Sequence, residues 1–70
     1  MNTTDERILE LIRARGKMTA AEIATELFPD APVWHRTYRR DYIWERCNSL
    51  LKYHWVEKTK VGNKTYWGMA

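Results

Sequence analysis

Side chains that can contact a polyanion are concentrated in the second half of the chain. Residues 1–32 contain four Lys or Arg and six acids, whereas residues 33–70 contain eight Lys or Arg and three acids. All four Trp and all four Tyr also lie in residues 33–70. Clustered positive charge attracts nucleic acids and other polyanions. The distribution predicts a cationic, aromatic half supported by a more neutral scaffold.

Catalytic and metal-binding chemistry find little support in the residue types and their spacing. His35, Cys47 and His54 match no zinc-ligand pattern. There is no Gly-rich phosphate loop and no nucleophile with a neighbouring base, and one cysteine cannot form an internal disulfide. We therefore expect no enzyme activity, cofactor, metal or small-molecule substrate, and we expect Cys47 to be a small buried hydrophobe.

The chain length and the hydropathy pattern limit the class of protein. Seventy residues are enough for one small domain. No apolar run approaches the roughly 18 residues that a membrane span requires, and the charged N-terminal segment lacks a signal-peptide core. These features predict a single domain over residues 1–70 that is cytoplasmic and has no membrane partner.

The first element is predicted to be a helix over about residues 4–15. Thr3 and Glu6 have the spacing of a capping box, in which each side chain satisfies an amide at the helix start. Gly16 can end the helix by taking a left-handed conformation. The predicted core positions of this helix are Ile8, Leu11 and Ile12.

A second capping box, Thr19 and Glu22, predicts a helix over about residues 20–27. Its predicted inward residues are Ile23, Ala24 and Leu27. Two prolines follow, and they cannot continue a helical hydrogen-bond ladder. Residues 28–40 are therefore predicted to be a long turn.

The third helix is predicted over about residues 41–53, with Asp41 as its N-cap. A longer helix would place Trp34 and Tyr38 on the solvent face, which disfavours it. At about 100° per residue, the predicted core face consists of Ile43, Cys47, Leu50 and Leu51.

The C-terminal segment, residues 55–69, predicts a β-hairpin that turns at Gly62-Asn63. If Val61 lies opposite Lys64, then Val56, Trp67 and Met69 cover the core. Trp55 is predicted to be buried as well, and Met18 could pair briefly with a later strand.

This order of elements resembles the winged helix-turn-helix superfamily over roughly residues 4–69. The resemblance is carried by "TAAEIATEL", by "DYIWERCNSLLKYHWVEK" as the recognition helix entering the wing, and by "VGNKTYW" as the wing turn. It implies a mainly α fold with a small C-terminal β-hairpin. His54 stands where glycine is common after the recognition helix, which predicts local backbone strain.

The resemblance also assigns candidate contact residues for DNA. The candidates for base contact on the third helix are Tyr42, Glu45, Arg46, Asn48 and Ser49. The candidates for phosphate contact are Arg36, Arg39, Arg40, Lys52, Lys58, Lys60, Asn63 and Lys64. The candidates for a partner interface are Trp34, Tyr38 and Trp44.

The function that these expectations favour is sequence-specific binding of double-stranded DNA by a small transcription regulator. The third helix would enter the major groove, and the wing would contact the backbone. Tight binding by so small a domain would favour a homodimer on two half-sites. Two alternatives remain open: a protein–protein interaction module, and binding of RNA or single strands through exposed aromatic residues.

Overall fold

The computed structural model describes residues 2–30, 32 and 35–70, with backbone only at Arg36 and Thr37. Within these residues three helices precede a two-stranded antiparallel hairpin, which confirms the predicted mainly α fold with a small C-terminal β-hairpin. The elements are α1 (Thr3–Arg15), α2 (Ala20–Leu27), α3 (Arg36–Lys52), β1 (Val56–Val61) and β2 (Lys64–Met69).

Helix α1 begins one residue earlier than predicted. Asn2 is its N-cap, and the Asn2 Oδ1 atom accepts a hydrogen bond of 2.8 Å from the backbone N–H of Asp5. The predicted capping box of Thr3 and Glu6 is therefore wrong, because Thr3 already lies inside the helix. Asparagine is as good an N-cap as threonine, so the two adjacent starts could not be separated by residue type.

Helix α2 has the predicted bounds and the predicted cap. The Thr19 Oγ1 atom accepts a hydrogen bond from the backbone N–H of Glu22, and the Glu22 carboxylate accepts one from the backbone N–H of Thr19. This reciprocal pair satisfies two amides that would otherwise lack partners at the helix start.

Helix α3 is longer than predicted, since it begins at Arg36 and ends at Lys52. The predicted break near residues 38–41 is absent from the described backbone, and Asp41 lies within the helix instead of capping it. Tyr38 is indeed on the solvent side, with 69% of its surface exposed. Tyrosine tolerates this position because its hydroxyl remains hydrated, so an exposed aromatic residue was weak evidence for a break.

The end of α3 contains the strained residue that the sequence predicted. His54 has φ 62°, the left-handed region that glycine usually occupies. The N–H of His54 donates to the Leu51 carbonyl, and the N–H of Trp55 donates to the Leu50 carbonyl, each at 3.0 Å. These two bonds form a Schellman motif, which turns the chain from α3 into β1.

The hairpin has the predicted register, with Val61 opposite Lys64 and Val56 opposite Met69. Met18 forms a bridge with Trp67 in which the N–H of each donates to the carbonyl of the other, at 3.0 and 2.7 Å. This bridge confirms the predicted brief pairing. It anchors the link between α1 and α2 to the edge of β2.

One core joins all five elements. Its buried hydrophobic members are Ile8, Leu9, Ile12, Met18, Ala20, Ile23, Ala24, Ile43, Cys47, Leu50, Val56 and Trp67. Leu11, Leu27, Leu51 and Met69 pack against them as partly buried residues. The prediction that Trp55 is buried is wrong, because 49% of its surface is exposed. Within the described residues, no helix has both the length and the apolar content needed to cross a membrane.

Candidate nucleic-acid interface

A groove of about 710 Å³ lies where α2, α3 and the hairpin meet. We call it the basic groove, and it is lined by Thr19, Ala20, Ala21, Glu22, Arg40, Asp41, Trp44, Asn63, Lys64, Thr65 and Tyr66. The capped start of α2 forms one wall, one side of α3 forms another, and the hairpin turn with β2 forms the third. The groove therefore depends on elements that are distant in the sequence.

Four of the predicted phosphate contacts border the basic groove. Arg40 and Lys64 line it directly. Lys58 and Lys60 lie opposite Trp67 and Thr65 in the hairpin, so these four side chains share one face of the two strands. Thr65 lines the groove, and the Lys58 ammonium lies 5.1 Å from the centroid of the Trp44 ring. Lys58 and Lys60 therefore lie on the same face of the hairpin as Trp67, whose ring packs against Trp44 of α3.

Two carboxylates also line the basic groove, and each already has a partner. Asp41 Oδ1 lies 3.6 Å from Arg40 Nη2 on the exposed surface of α3. The pKa of Glu22 is lowered, chiefly by its hydrogen bonds with the Thr19 backbone and side chain, and further by the charge of Lys64. The lining itself therefore holds two cations, Arg40 and Lys64, and two carboxylates. The net positive charge at the site comes from Lys58 and Lys60 on the adjoining face of the hairpin.

An aromatic cluster forms the part of this site where α3 meets the hairpin. The Trp44 and Trp67 rings meet edge to face, with centroids 5.4 Å apart and an interplanar angle of 83°. Trp67 is fully buried, whereas 38% of the Trp44 surface is exposed. Lys58 Nζ lies 5.1 Å from the Trp44 centroid and 5.5 Å from that of Trp67. A cation therefore sits at the junction of two aromatic rings that attract it.

Arg46, a predicted base contact, is instead bound to α1. Its Nε and Nη2 atoms donate to the two Asp5 carboxylate oxygens at 2.8 and 2.6 Å. Only 3% of the Asp5 surface is exposed. This hydrogen-bonded pair lowers the pKa of Asp5 and raises the pKa of Arg46. In this structure Arg46 is bound to Asp5, and a base contact by Arg46 would leave a buried carboxylate unpaired.

The other predicted base contacts are spread over different sides of α3. The Tyr42 hydroxyl donates to Thr4 Oγ1 at 3.5 Å, which directs it towards α1. Asn48 Nδ2 donates to the Trp44 carbonyl one turn earlier, at 3.1 Å. Glu45 is exposed and Ser49 is partly buried. The outward face of α3 therefore carries a carboxylate at its middle, and the cations lie to one side of it.

Of the remaining predicted phosphate contacts whose side chains the structure describes, Asn63 lines the basic groove, whereas Arg39 and Lys52 do not. The Arg39 guanidinium lies over the Phe28 ring, 4.6 Å from its centroid, and packs against the end of α2. Lys52 is exposed at the far end of α3. The Arg36 side chain lies outside what the structure describes.

Of the predicted partner contacts, the structure describes Tyr38 and Trp44, and they lie in different settings. Trp34 lies outside the described residues. Tyr38 is exposed on α3, whereas Trp44 belongs to the basic groove. Sequence reasoning missed Thr65 and Tyr66 as groove residues, and it assigned Glu22 a capping role alone. The capping box predicts where α2 begins, but it does not reveal that Thr65 and Tyr66 lie beside that end of the helix.

Cys47 is fully buried on the core-facing side of α3, as predicted. Burial raises the pKa of its thiol to about 12, so the group stays protonated at neutral pH and contributes packing. Across the described ranges, no three His, Cys, Asp or Glu residues are arranged to hold a metal ion.

Comparison with known proteins adds no further assignment. No protein-family model, curated protein or solved structure matches the chain.

Proposed function

We propose that the protein binds double-stranded DNA through the basic groove and the adjoining side of α3. The observation that carries this proposal is the grouping of Arg40, Lys58, Lys60 and Lys64, from the three elements α3, β1 and β2, around one groove. Cations that flank a helix on one side match the way duplex-binding proteins hold phosphates. The two carboxylates in the groove interact with two of these cations, Asp41 with Arg40 and Glu22 with Lys64, so the cations exceed the carboxylates by two.

The docking mode follows from the order of elements and from the resemblance to winged helix-turn-helix proteins. A major groove about 12 Å wide admits an α-helix, and α3 would enter it with its hairpin-facing side towards one strand. The hairpin lysines would then follow the phosphates of that strand. A homodimer on two half-sites would supply the affinity that one small domain lacks, and a cytoplasmic transcription regulator is the role that suits such binding.

Salt dependence tests the phosphate contacts. If the four cations of the groove each neutralise a phosphate, the logarithm of the association constant should fall with the logarithm of salt concentration, with a slope of about −4. Fluorescence anisotropy of a labelled duplex, titrated at several salt concentrations, gives this slope. A nearly flat titration contradicts the proposal.

Two matched arginine variants locate the contact surface. Arg40→Ala should weaken duplex binding and make the salt slope shallower by about 1. Arg13→Ala removes the same charge from the exposed side of α1 and should leave the slope unchanged. Equal effects of both variants would mean that only net charge matters. Arg46 is unsuitable for this comparison, because its removal disturbs the buried Asp5 carboxylate.

A protein-docking role is the rival outcome of the same experiment. Tyr38 and Tyr53 are both more than half exposed on α3 and at its end, and exposed tyrosines are common at protein interfaces. Absence of duplex binding by a folded protein would favour this role.

A further inference from the structure

We infer that the basic groove receives one unpaired nucleotide, with its base against Trp44 and its phosphate near Arg40 and Lys64. This inference rests on the proposed function, because it names the kind of DNA that the same groove would prefer. The observation behind it is an exposed aromatic ring among cations, in a groove large enough for a nucleotide.

Trp44 provides a fixed surface for stacking. Its ring is held edge to face against Trp67, which is fully buried and bridged to Met18 through its backbone. Trp44 lines the groove, and 38% of its surface is exposed. Stacking between a base and an aromatic side chain is a sequence-tolerant contact, because every base has a π-face. A ring that is already held in place loses little conformational freedom on binding.

Lys58 marks the face of Trp44 that a base would occupy. Its ammonium lies over the Trp44 ring at 5.1 Å, and its side chain is otherwise exposed. A cation–π contact at an exposed site is weak. An incoming base can therefore replace the ammonium on the Trp44 ring at small cost.

The size and charge of the basic groove suit a nucleotide unit. Its volume of about 710 Å³ lies within the range of about 300–1,000 Å³ that ligand sites occupy. The cations Arg40 and Lys64 line it together with the amide of Asn63. A base inside an intact duplex is stacked on its neighbours and cannot reach Trp44. The ligand must therefore be an unpaired nucleotide, either at the end of a DNA strand or free in solution.

Extended duplexes separate base stacking from simple phosphate contact. The probes are a short blunt duplex, the same duplex with a single-stranded extension, and the same extension built from abasic residues. The base-bearing extension should bind about 5- to 100-fold more tightly than the abasic one. The abasic extension carries the same phosphates, so this difference measures the base alone. Equal affinities for the two extensions would count against an unpaired strand end as the ligand.

Substitutions of tryptophan test whether the difference in affinity between the two extensions arises in the basic groove. Trp44→Leu should abolish the preference for the base-bearing extension, since leucine covers Trp67 but cannot stack. Trp44→Phe should retain much of it, and Trp55→Leu, which alters a half-exposed tryptophan that does not line the basic groove, should retain all of it. Circular dichroism establishes that each variant is folded. Retention of the full preference by a folded Trp44→Leu variant would overturn the inference.

A free deoxynucleoside monophosphate distinguishes the two sources of the ligand. Its Trp44-dependent binding, without any gain from the extension, would assign the site to free nucleotides. If neither the extension nor the monophosphate gives a Trp44-dependent effect, the site does not exist. Normal binding of the blunt duplex in that case would leave the proposed duplex function standing. Failure of the blunt duplex to bind would remove that function, whatever the extension does.

Discussion

Among the described residues, Asp5 is the charged residue that is buried. It is almost fully buried at the start of α1 and receives two hydrogen bonds from Arg46. The pair joins α1 to α3. It therefore helps to hold α3, which forms one wall of the basic groove, in its position against α1. Breaking a buried pair by removing one partner costs more than the pair contributes, because the other charge is left without compensation.

Replacing Asp5 should therefore alter both stability and its pH dependence. Asp5→Asn should lower the free energy of unfolding at pH 7 by about 1–3 kcal/mol, since one partner of the pair keeps its charge. The pKa of Asp5 is lowered in the folded state. Its contribution is thus fully present above the unfolded pKa and is lost as pH falls from about 5 through the folded pKa.

Urea unfolding of the parent and of Asp5→Asn, at neutral pH and across the acidic range, measures this contribution. The two proteins should become closer in stability as pH falls. A constant difference between them over the whole range would mean that the Asp5 charge is not the source of the effect.

His54 is the residue at which a single substitution should stabilise the protein. An L-residue in the left-handed region is strained by about 1–2 kcal/mol, and glycine loses part of that gain through its greater freedom in the unfolded chain. His54→Gly should therefore raise the free energy of unfolding by about 0.5–1 kcal/mol. Tyr53→Gly, one residue earlier at φ −96°, should lower it. Thermal unfolding of both variants tests the sign, and a destabilised His54→Gly protein would show that the imidazole has a structural role.

Among the elements, α2 depends most on its cap, because it has only eight residues. Removing a threonine N-cap costs about 1 kcal/mol. Thr19→Ala should lower stability by that amount and disturb the wall of the basic groove that the first turn of α2 forms. Thr25→Ala is the matched control, since Thr25 lies mid-helix with its hydroxyl donating to the Ala21 carbonyl. It should be neutral or slightly stabilising, as alanine is the better helix former. Equal losses in urea unfolding would argue against a capping effect.

The hairpin is held from both of its faces. On one face Lys58 lies over the two tryptophans. On the other, the Lys17 side chain passes over Gly68, and its Nζ donates to Thr59 Oγ1 at 3.3 Å. A Cβ atom at position 68 would lie 3.0 Å from Lys17 Cγ, so the absence of a side chain at Gly68 makes this crossing possible. The hairpin therefore keeps a defined position beside α3.

At the scale of the whole molecule, charge is divided between two sides. The cations of α3 and the hairpin border the basic groove, whereas the Asp5–Arg46 pair neutralises the contact between α1 and α3. Trp55 and Tyr53 lie near that pair, at a second groove of about 580 Å³. The basic groove and this second groove have no lining residue in common.

The sequence predicted the elements well where a local signal specified them. The Thr19–Glu22 box gave the start of α2, Gly62-Asn63 gave the register of the hairpin, and the spacing of Ile43, Cys47 and Leu50 gave the buried face of α3. It failed at the start of α3 and at Trp55, where the inference assumed that aromatic residues avoid solvent. That assumption is weak, because tyrosine and tryptophan carry polar groups that tolerate exposure.

The sequence predicted which residue types form the candidate site, but not how they are arranged. The cations were identified from their residue types and clustering. Which of them are free to contact DNA was not predicted, because some are occupied by contacts with residues that are distant in the sequence. Arg46 lies 41 residues from Asp5 in the chain, and Arg39 is held by the Phe28 ring. The sequence by itself determined the local elements, the buried faces and the excess of positive charge, since these depend on residue type and short-range spacing. Only the tertiary structure decided which charges remain free and which border the groove beside Trp44, because both depend on packing between distant segments.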